Sequence, residues 1–188
     1  RKVFGVPNEY EWHPLLSFSM EEVEQVNEYV FKLPKDKNIL IETFAGSSQS
    51  KWDHSMTENT MRVCREKLGD CNFFFASHKY LREQEQFPEN FFYQEGVYHC
   101  AHLTPRLFAL MNDWMDLIVS VSSGITVACS AWGCKPKPII QYCGSEICST
   151  KSLANGRRFE LITADDRSLE SSKHEFELRL NDLLNTLL

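Results

Sequence analysis

The stretch Leu117-Ile118-Val119-Ser120-Val121-Ser122-Ser123-Gly124-Ile125-Thr126-Val127-Ala128-Cys129-Ser130-Ala131-Trp132-Gly133-Cys134-Lys135-Pro136-Lys137-Pro138-Ile139-Ile140-Gln141-Tyr142 decides the fold. Its opening run is almost wholly apolar and does not alternate, the pattern of a strand covered on both faces. Ser122-Ser123-Gly124 then leads into a helix over residues 125–132 that Gly133 ends, and residues 138–142 make the next buried strand. A strand, a helix and a strand in that order form a parallel pair with a crossover, normally right-handed.

Upstream, the same alternation continues. Residues 39–44 (Ile-Leu-Ile-Glu-Thr-Phe) and 73–76 (Phe-Phe-Phe-Ala) read as buried strands. Between them Met56, Met61, Cys64 and Leu68 lie near one face of a helix that Gly69-Asp70 ends. Ser19-Met20-Glu21-Glu22 is a capping box opening a first helix that runs to Leu33-Pro34. A polar stretch, 78–90, precedes Phe91-Phe92-Tyr93 and Val97-Tyr98-His99-Cys100, either of which fits a short strand. Thr104-Pro105 opens a helix with Leu107, Leu110, Met111 and Trp114 as its stripe. Downstream, residues 159–162 fit an edge strand, and Leu169, Phe176, Leu180, Leu183 and Leu187 mark a closing helix. The fold class is therefore α/β, a Rossmann-like parallel sheet with helices on both faces. We expect residues 1–18 to be an irregular segment or linker and 19–188 a single domain. The first residue is Arg1 rather than Met, so a preceding segment is expected.

Composition narrows the function. The 188 residues carry a net charge of −6 and are 43% hydrophobic, enough for one core. An acidic chain argues against broad nucleic-acid binding, which needs clustered Lys and Arg. No run is long and apolar enough for a membrane span. Cys64, Cys71, Cys100, Cys129, Cys134, Cys143 and Cys148 are scattered through apolar segments, and no glycosylation sequon appears, so we expect reduced thiols and a cytoplasmic setting. A zinc site from Cys129, Cys134, Cys143 and Cys148 has gaps wider than the usual pair spacing, and we expect neither metal nor cofactor.

In an open parallel sheet, ligands bind beyond the carboxyl ends of the strands. The loops there hold Gly46, Ser47, Ser48 and Lys51, then Ser77 and His78, then Ser122, Ser123, Gly124, Ile125 and Thr126. The last group joins a strand directly to a helix, and two readings fit it equally: an anion seat built from backbone N–H groups, or a plain helix cap. Lys51 likewise fits two readings: a cation for a phosphate held nearby, or an ordinary solvated Lys. Asp53 suits a helix cap, and His99 and His102 suit structural roles. No Walker loop, nucleophile elbow or Gly-x-Gly-x-x-Gly occurs.

At these residues the chain resembles the C-terminal, donor-binding half of a GT-B glycosyltransferase, in particular the ADP-heptose:lipopolysaccharide heptosyltransferase family. Gly46-Ser47-Ser48-Gln49-Ser50-Lys51-Trp52 matches that family's Gly-rich loop followed by Lys-Trp. Leu103-Thr104 and the 116–127 segment match its helix start and its strand ending in Asp-Thr-Gly-x-x-His, and Gly133-Cys134-Lys135-Pro136 follows the small-residue helix. Ser122 and Val127 stand where the family has Asp and His. The resemblance implies that the turn at 122–126 holds the donor diphosphate, that Lys51 neutralises it, and that the partners are a nucleotide-sugar donor and a glycan or lipid-linked sugar acceptor. It further implies that the acceptor site and catalytic base lie on an N-terminal partner domain. Two other readings stand beside it: a non-catalytic module working by protein contact, and a nucleotide-sugar epimerase fragment with His78 and Asp53 as its acid-base pair.

Overall fold

The computed structural model describes residues 17–30, 35–43, 52–76, 87–100, 103–121, 123–129, 134–135, 137–143, 159–163 and 169–186. Helix α1 is Met20–Val30, β1 Lys37–Glu42, α2 His54–Leu68, β2 Cys71–Phe75, β3 Val97–His99, α3 Pro105–Met111, β4 Leu117–Val121, α4 Gly124–Cys129, β5 Ile139–Cys143, β6 Phe159–Thr163 and α5 Leu169–Leu184. The six strands among the described residues are all parallel, in the order β3-β2-β1-β4-β5-β6. The chain is thus an α/β protein with a Rossmann-like sheet, and its strand order reverses between β1 and β4.

Local chemistry fixes the helix starts. Ser19 and Glu22 form a reciprocal capping box: the Ser19 amide donates to Glu22 Oε2 (2.8 Å) and the Glu22 amide to Ser19 Oγ (3.2 Å). Arg106 of α3 also binds Glu22, and hydrogen bonding from Arg106 and the Ser19 amide holds that carboxyl down to about 2. Thr104 caps α3 with Pro105 following, and Asp53 caps α2.

The sheet is covered on both faces. Ile39, Ile41, Phe73, Phe75, Leu117 and Val119 pack toward α2 and α5, meeting Met56, Val63, Phe176 and Leu180. Leu40, Phe74, Ile118 and Ile139 form the opposite layer with Val26, Val30, Phe108, Met111 and Cys129. Two buried faces explain why the central strands lack polar alternation.

Strand boundaries differ from the sequence reading where polar residues join the ladder. β1 begins at Lys37 rather than Ile39, because Lys37 and Asn38 pair with Cys71 and Asn72 of β2. Side chains pin this edge: the Asn38 amide donates to Asp116 Oδ2 (2.8 Å), Asn38 Nδ2 to the Trp114 carbonyl (3.1 Å), and Asn72 Nδ2 to Asn38 Oδ1 (2.9 Å). β1 ends at Glu42, and Phe44 lies outside the described residues. Of the two short-strand candidates, residues 97–99 pair with β2, while residues 91–93 form a 3-10 turn whose last amide returns to the Asn90 carbonyl. Helix α4 ends at Cys129 in the described chain, with residues 130–133 outside it, as are 1–16 and Leu187. Among the described residues no helix is long and apolar enough to cross a membrane.

Two glycines end or turn elements at positive φ. Gly69 (φ 81°) closes α2 and has open space where a Cβ would stand; Gly96 (φ 74°) would place one 2.9 Å from the Cys71 carbonyl oxygen. Gly69→Ala therefore meets backbone strain of about 1–3 kcal/mol, and Gly96→Ala meets strain plus a backbone clash. Urea denaturation should rank Gly96→Ala as the more destabilised; equal losses would remove the role assigned to the Cys71 contact.

Candidate functional site

The strand order reverses between β1 and β4, and in open parallel sheets the ligand crevice lies beyond the carboxyl ends of the strands at such a point. From β1 come Glu42 and Thr43, both buried, and from β4 come Ser120 and the turn into α4. Glu42 and Ser120 are direct neighbours in the ladder, and Ser120 neighbours Gln141 of β5, so a buried polar row crosses three strands.

The turn into α4 closes on this row. Ser123 Oγ accepts from the amides of Ile125 (3.0 Å) and Thr126 (3.4 Å), which makes it the cap of α4. Thr126, fully buried, places Oγ1 3.2 Å from Glu42 Oε2 and 3.3 Å from the Val121 carbonyl oxygen. Glu42 is 2% exposed; its desolvation outweighs hydrogen bonds from Ser123 and Thr126 and pushes its carboxyl up to about 8, so it is a neutral acid at pH 7. The hydroxyls of Thr43 and Ser120 are buried without a hydrogen-bond partner among the described residues. Gly124 is exposed, and a Cβ there would meet nothing within 4 Å.

The far end of the first loop is anchored by Trp52. This indole is buried, donates from Nε1 to Thr57 Oγ1 (2.8 Å), and packs edge-on against Phe176 (5.2 Å) and Tyr142 (6.1 Å). Asp53 follows, accepting the Met56 amide (3.0 Å) and facing Lys173 Nζ at 2.8 Å. Burial opposes its charge, but Lys173, Ser55 and the Met56 amide prevail and hold the carboxyl below its usual range. These contacts make Asp53 a cap and ion-pair partner.

Of the sequence-derived site residues, Ser123, Gly124, Ile125 and Thr126 are brought together at the crevice. Gly46, Ser47, Ser48, Lys51, Ser77, His78 and Ser122 lie outside the described residues, as does His102. His99 stacks on Phe92 (4.4 Å between ring centres), in keeping with a structural role. Glu42 and Lys173 escaped the sequence reading, Glu42 because it sits inside an apolar run and Lys173 because it is distant in sequence. Among the described residues no group of three or more His, Cys, Asp or Glu is placed to hold a metal, and the six described cysteines form no disulfide. The Cys134 thiol bonds the Ala109 carbonyl (3.3 Å) and the Cys129 thiol the Phe108 carbonyl (3.6 Å).

The architecture is that of solved glycosyltransferases. The E. coli ADP-heptose LPS heptosyltransferase II superposes over 97% of this chain and 55% of its own, with a TM-score of 0.67 and 16% identity. The glycosyl transferase family 9 protein from Veillonella parvula superposes over 99% of this chain and 56% of its own, with a TM-score of 0.70 and 14% identity. No family model and no curated protein matches the sequence. The chain therefore has a glycosyltransferase-like α/β fold. It spans about half the length of those two proteins.

The anchoring of the loop gives a direct test. Trp52→Ala removes a buried indole and should lower the unfolding free energy by about 3–5 kcal/mol. Lys173→Met breaks a partly exposed pair and should cost about 1 kcal/mol or less. Urea denaturation of both variants checks the ranking, and a mild Trp52→Ala would mean that the indole does not anchor the loop.

Proposed function

We propose that this chain is the donor-binding half of a GT-B glycosyltransferase, residues 19–188 forming one unit that seats the diphosphate of a nucleotide sugar. The observation that carries the reading is positional. The loop with Gly46, Ser47, Ser48 and Lys51 follows β1, the turn with Ser122, Ser123, Gly124, Ile125 and Thr126 follows β4, and these neighbouring strands flank the reversal of strand order. A fold shared with solved glycosyltransferases supports it. Gly124, where the protein itself has room for a side chain, supports close approach by a ligand.

In this reading Lys51 neutralises the diphosphate, Ser48 assists, and Ser77 and His78 after β2 face the nucleotide or sugar. Ligand oxygens join or displace the Ser123 hydroxyl at the amides of α4. Stabilising the leaving diphosphate and orienting the acceptor supply the rate acceleration. A hexosyl or heptosyl donor, a glycan or lipid-linked sugar acceptor, and a base on a partner domain complete the reaction. Two observations favour a non-catalytic interaction module instead. Ser123 already satisfies two α4 amides, and Ser122 and Val127 replace the Asp and His of the family pattern.

Thermal denaturation against ADP, GDP, UDP and CDP separates the readings, because a ligand at a hundredfold its Kd adds about 2.7 kcal/mol to stability. One base should raise the melting temperature. Lys51→Ala should lose that shift with an unchanged ligand-free melting temperature. Gly124→Ala should lose it while keeping or raising the ligand-free value, since Ala favours a helix over Gly by about 1 kcal/mol. A flat panel would favour the interaction module.

A further inference from the structure

The donor chemistry leaves one buried acid unused. Glu42 ends β1 on the sheet face covered by α1, α3 and α4, and it meets no charged partner among the described residues. β4 offers it Ser120, β5 adds Gln141 to the same row, and α4 brings Ser123 and Thr126. Ala76 follows β2, its amide bonded to the Ile41 carbonyl. Helices α1 and α3 reach this layer through Val26, Val30, Phe108 and Met111, while their charged Glu22 and Arg106 pair with each other at the surface. Among the described residues, the other ionisable groups in the layer are the thiols of Cys100 and Cys129 and the phenol of Tyr98, which stacks on Phe74.

Hydrogen counting points to the protonated state. Thr126 has one hydroxyl hydrogen and two acceptors in reach, Glu42 Oε2 at 3.2 Å and the Val121 carbonyl at 3.3 Å. A neutral Glu42 donates its own O–H to Thr126 Oγ1, which passes its hydrogen to Val121. A carboxylate instead takes the Thr126 hydrogen and leaves Val121 without that donor. The protonated acid meets both distances with two separate hydrogen bonds, whereas a carboxylate leaves one Thr126 hydrogen shared between two acceptors.

We propose that Glu42 is a positioning residue, a proton-held latch that ties the end of β1 to the first turn of α4, and that losing its proton loosens α4 from the sheet. Burial, with no counter-charge among the described residues, places the closed latch at about 8, whereas an opened, hydrated carboxyl returns to the usual 4.5. Opening therefore releases one proton between these values. The opening constant rises about tenfold per pH unit across that window and levels off above it. The closed latch is strongest in acid and weakens as pH rises. Only the consequence for ligands, weaker nucleotide binding with rising pH, rests on the donor-site reading.

Amide hydrogen exchange of the ligand-free chain, from pH 5.5 to 9.5, tests the latch directly. Sub-denaturing urea distinguishes local from global opening, because local opening exposes little surface and is nearly urea-insensitive. After correction for intrinsic exchange, urea-insensitive protection at residues 125–129 should fall about tenfold per pH unit up to about 8, while α2 on the opposite face serves as the internal control. Glu42→Gln keeps the shape and cannot ionise, so its profile should be flat; Thr126→Val should lower protection at every pH. A flat wild-type profile, or the same slope in Glu42→Gln or in α2, overturns the proposal. If Glu42→Gln does not fold, the wild-type profile against α2 decides alone. No nucleotide is present in this experiment, so a flat nucleotide panel with a sloping exchange profile sinks the donor site and leaves the latch.

Discussion

The parallel pairing of β1 with β4, from Ile39 opposite Leu117 to Glu42 opposite Ser120, is the constraint on which the rest of the molecule depends. These strands are separated in the chain by α2, β2, β3 and α3, yet they lie side by side at the centre of the sheet. β2 and β3 add on one side of the pair and β5 and β6 on the other, so the connections leave in opposite directions. In open parallel sheets such a reversal is where ligands bind, beyond the carboxyl ends of the strands.

The two ends of the central strands are built from different materials. At the amino end, Asn38, Asn72 and Asp116 tie β1, β2 and the entry to β4 together through side-chain hydrogen bonds to backbone and to each other, which hold register where the sheet begins. At the carboxyl end, the buried polar groups are Glu42, Thr43, Ser120, Gln141 and Thr126, and the hydroxyls of Thr43 and Ser120 have no hydrogen-bond partner among the described residues. Buried polar groups cost stability unless they are satisfied. Their concentration beside the reversal of strand order contrasts with the apolar layers of Ile, Leu, Val and Phe only one or two residues earlier.

Core packing also holds the approach to α2. Trp52 is the case in point: it fills a slot between β5 and α5, edge-on to Tyr142 and Phe176. The ion pair from Asp53 to Lys173 links the start of α2 to α5 at the same place.

Sequence by itself determined the elements. Apolar runs too uniform for a one-sided sheet marked β1, β2, β4 and β5, and the capping chemistry of Ser19 with Glu22, Asp53, and Thr104 with Pro105 marked three helix starts, because these signals act over a few residues. It also placed Ser123, Gly124, Ile125 and Thr126 at a strand-to-helix turn. Tertiary structure alone decided the strand order, which fragment near residue 95 would pair with β2, and the state of Glu42. An acid inside an apolar run reads from sequence as an ordinary charge at a strand end. Its protonation depends on whether water or a counter-ion can reach it, and that follows from α4 folding over the sheet, a contact between residues 84 apart.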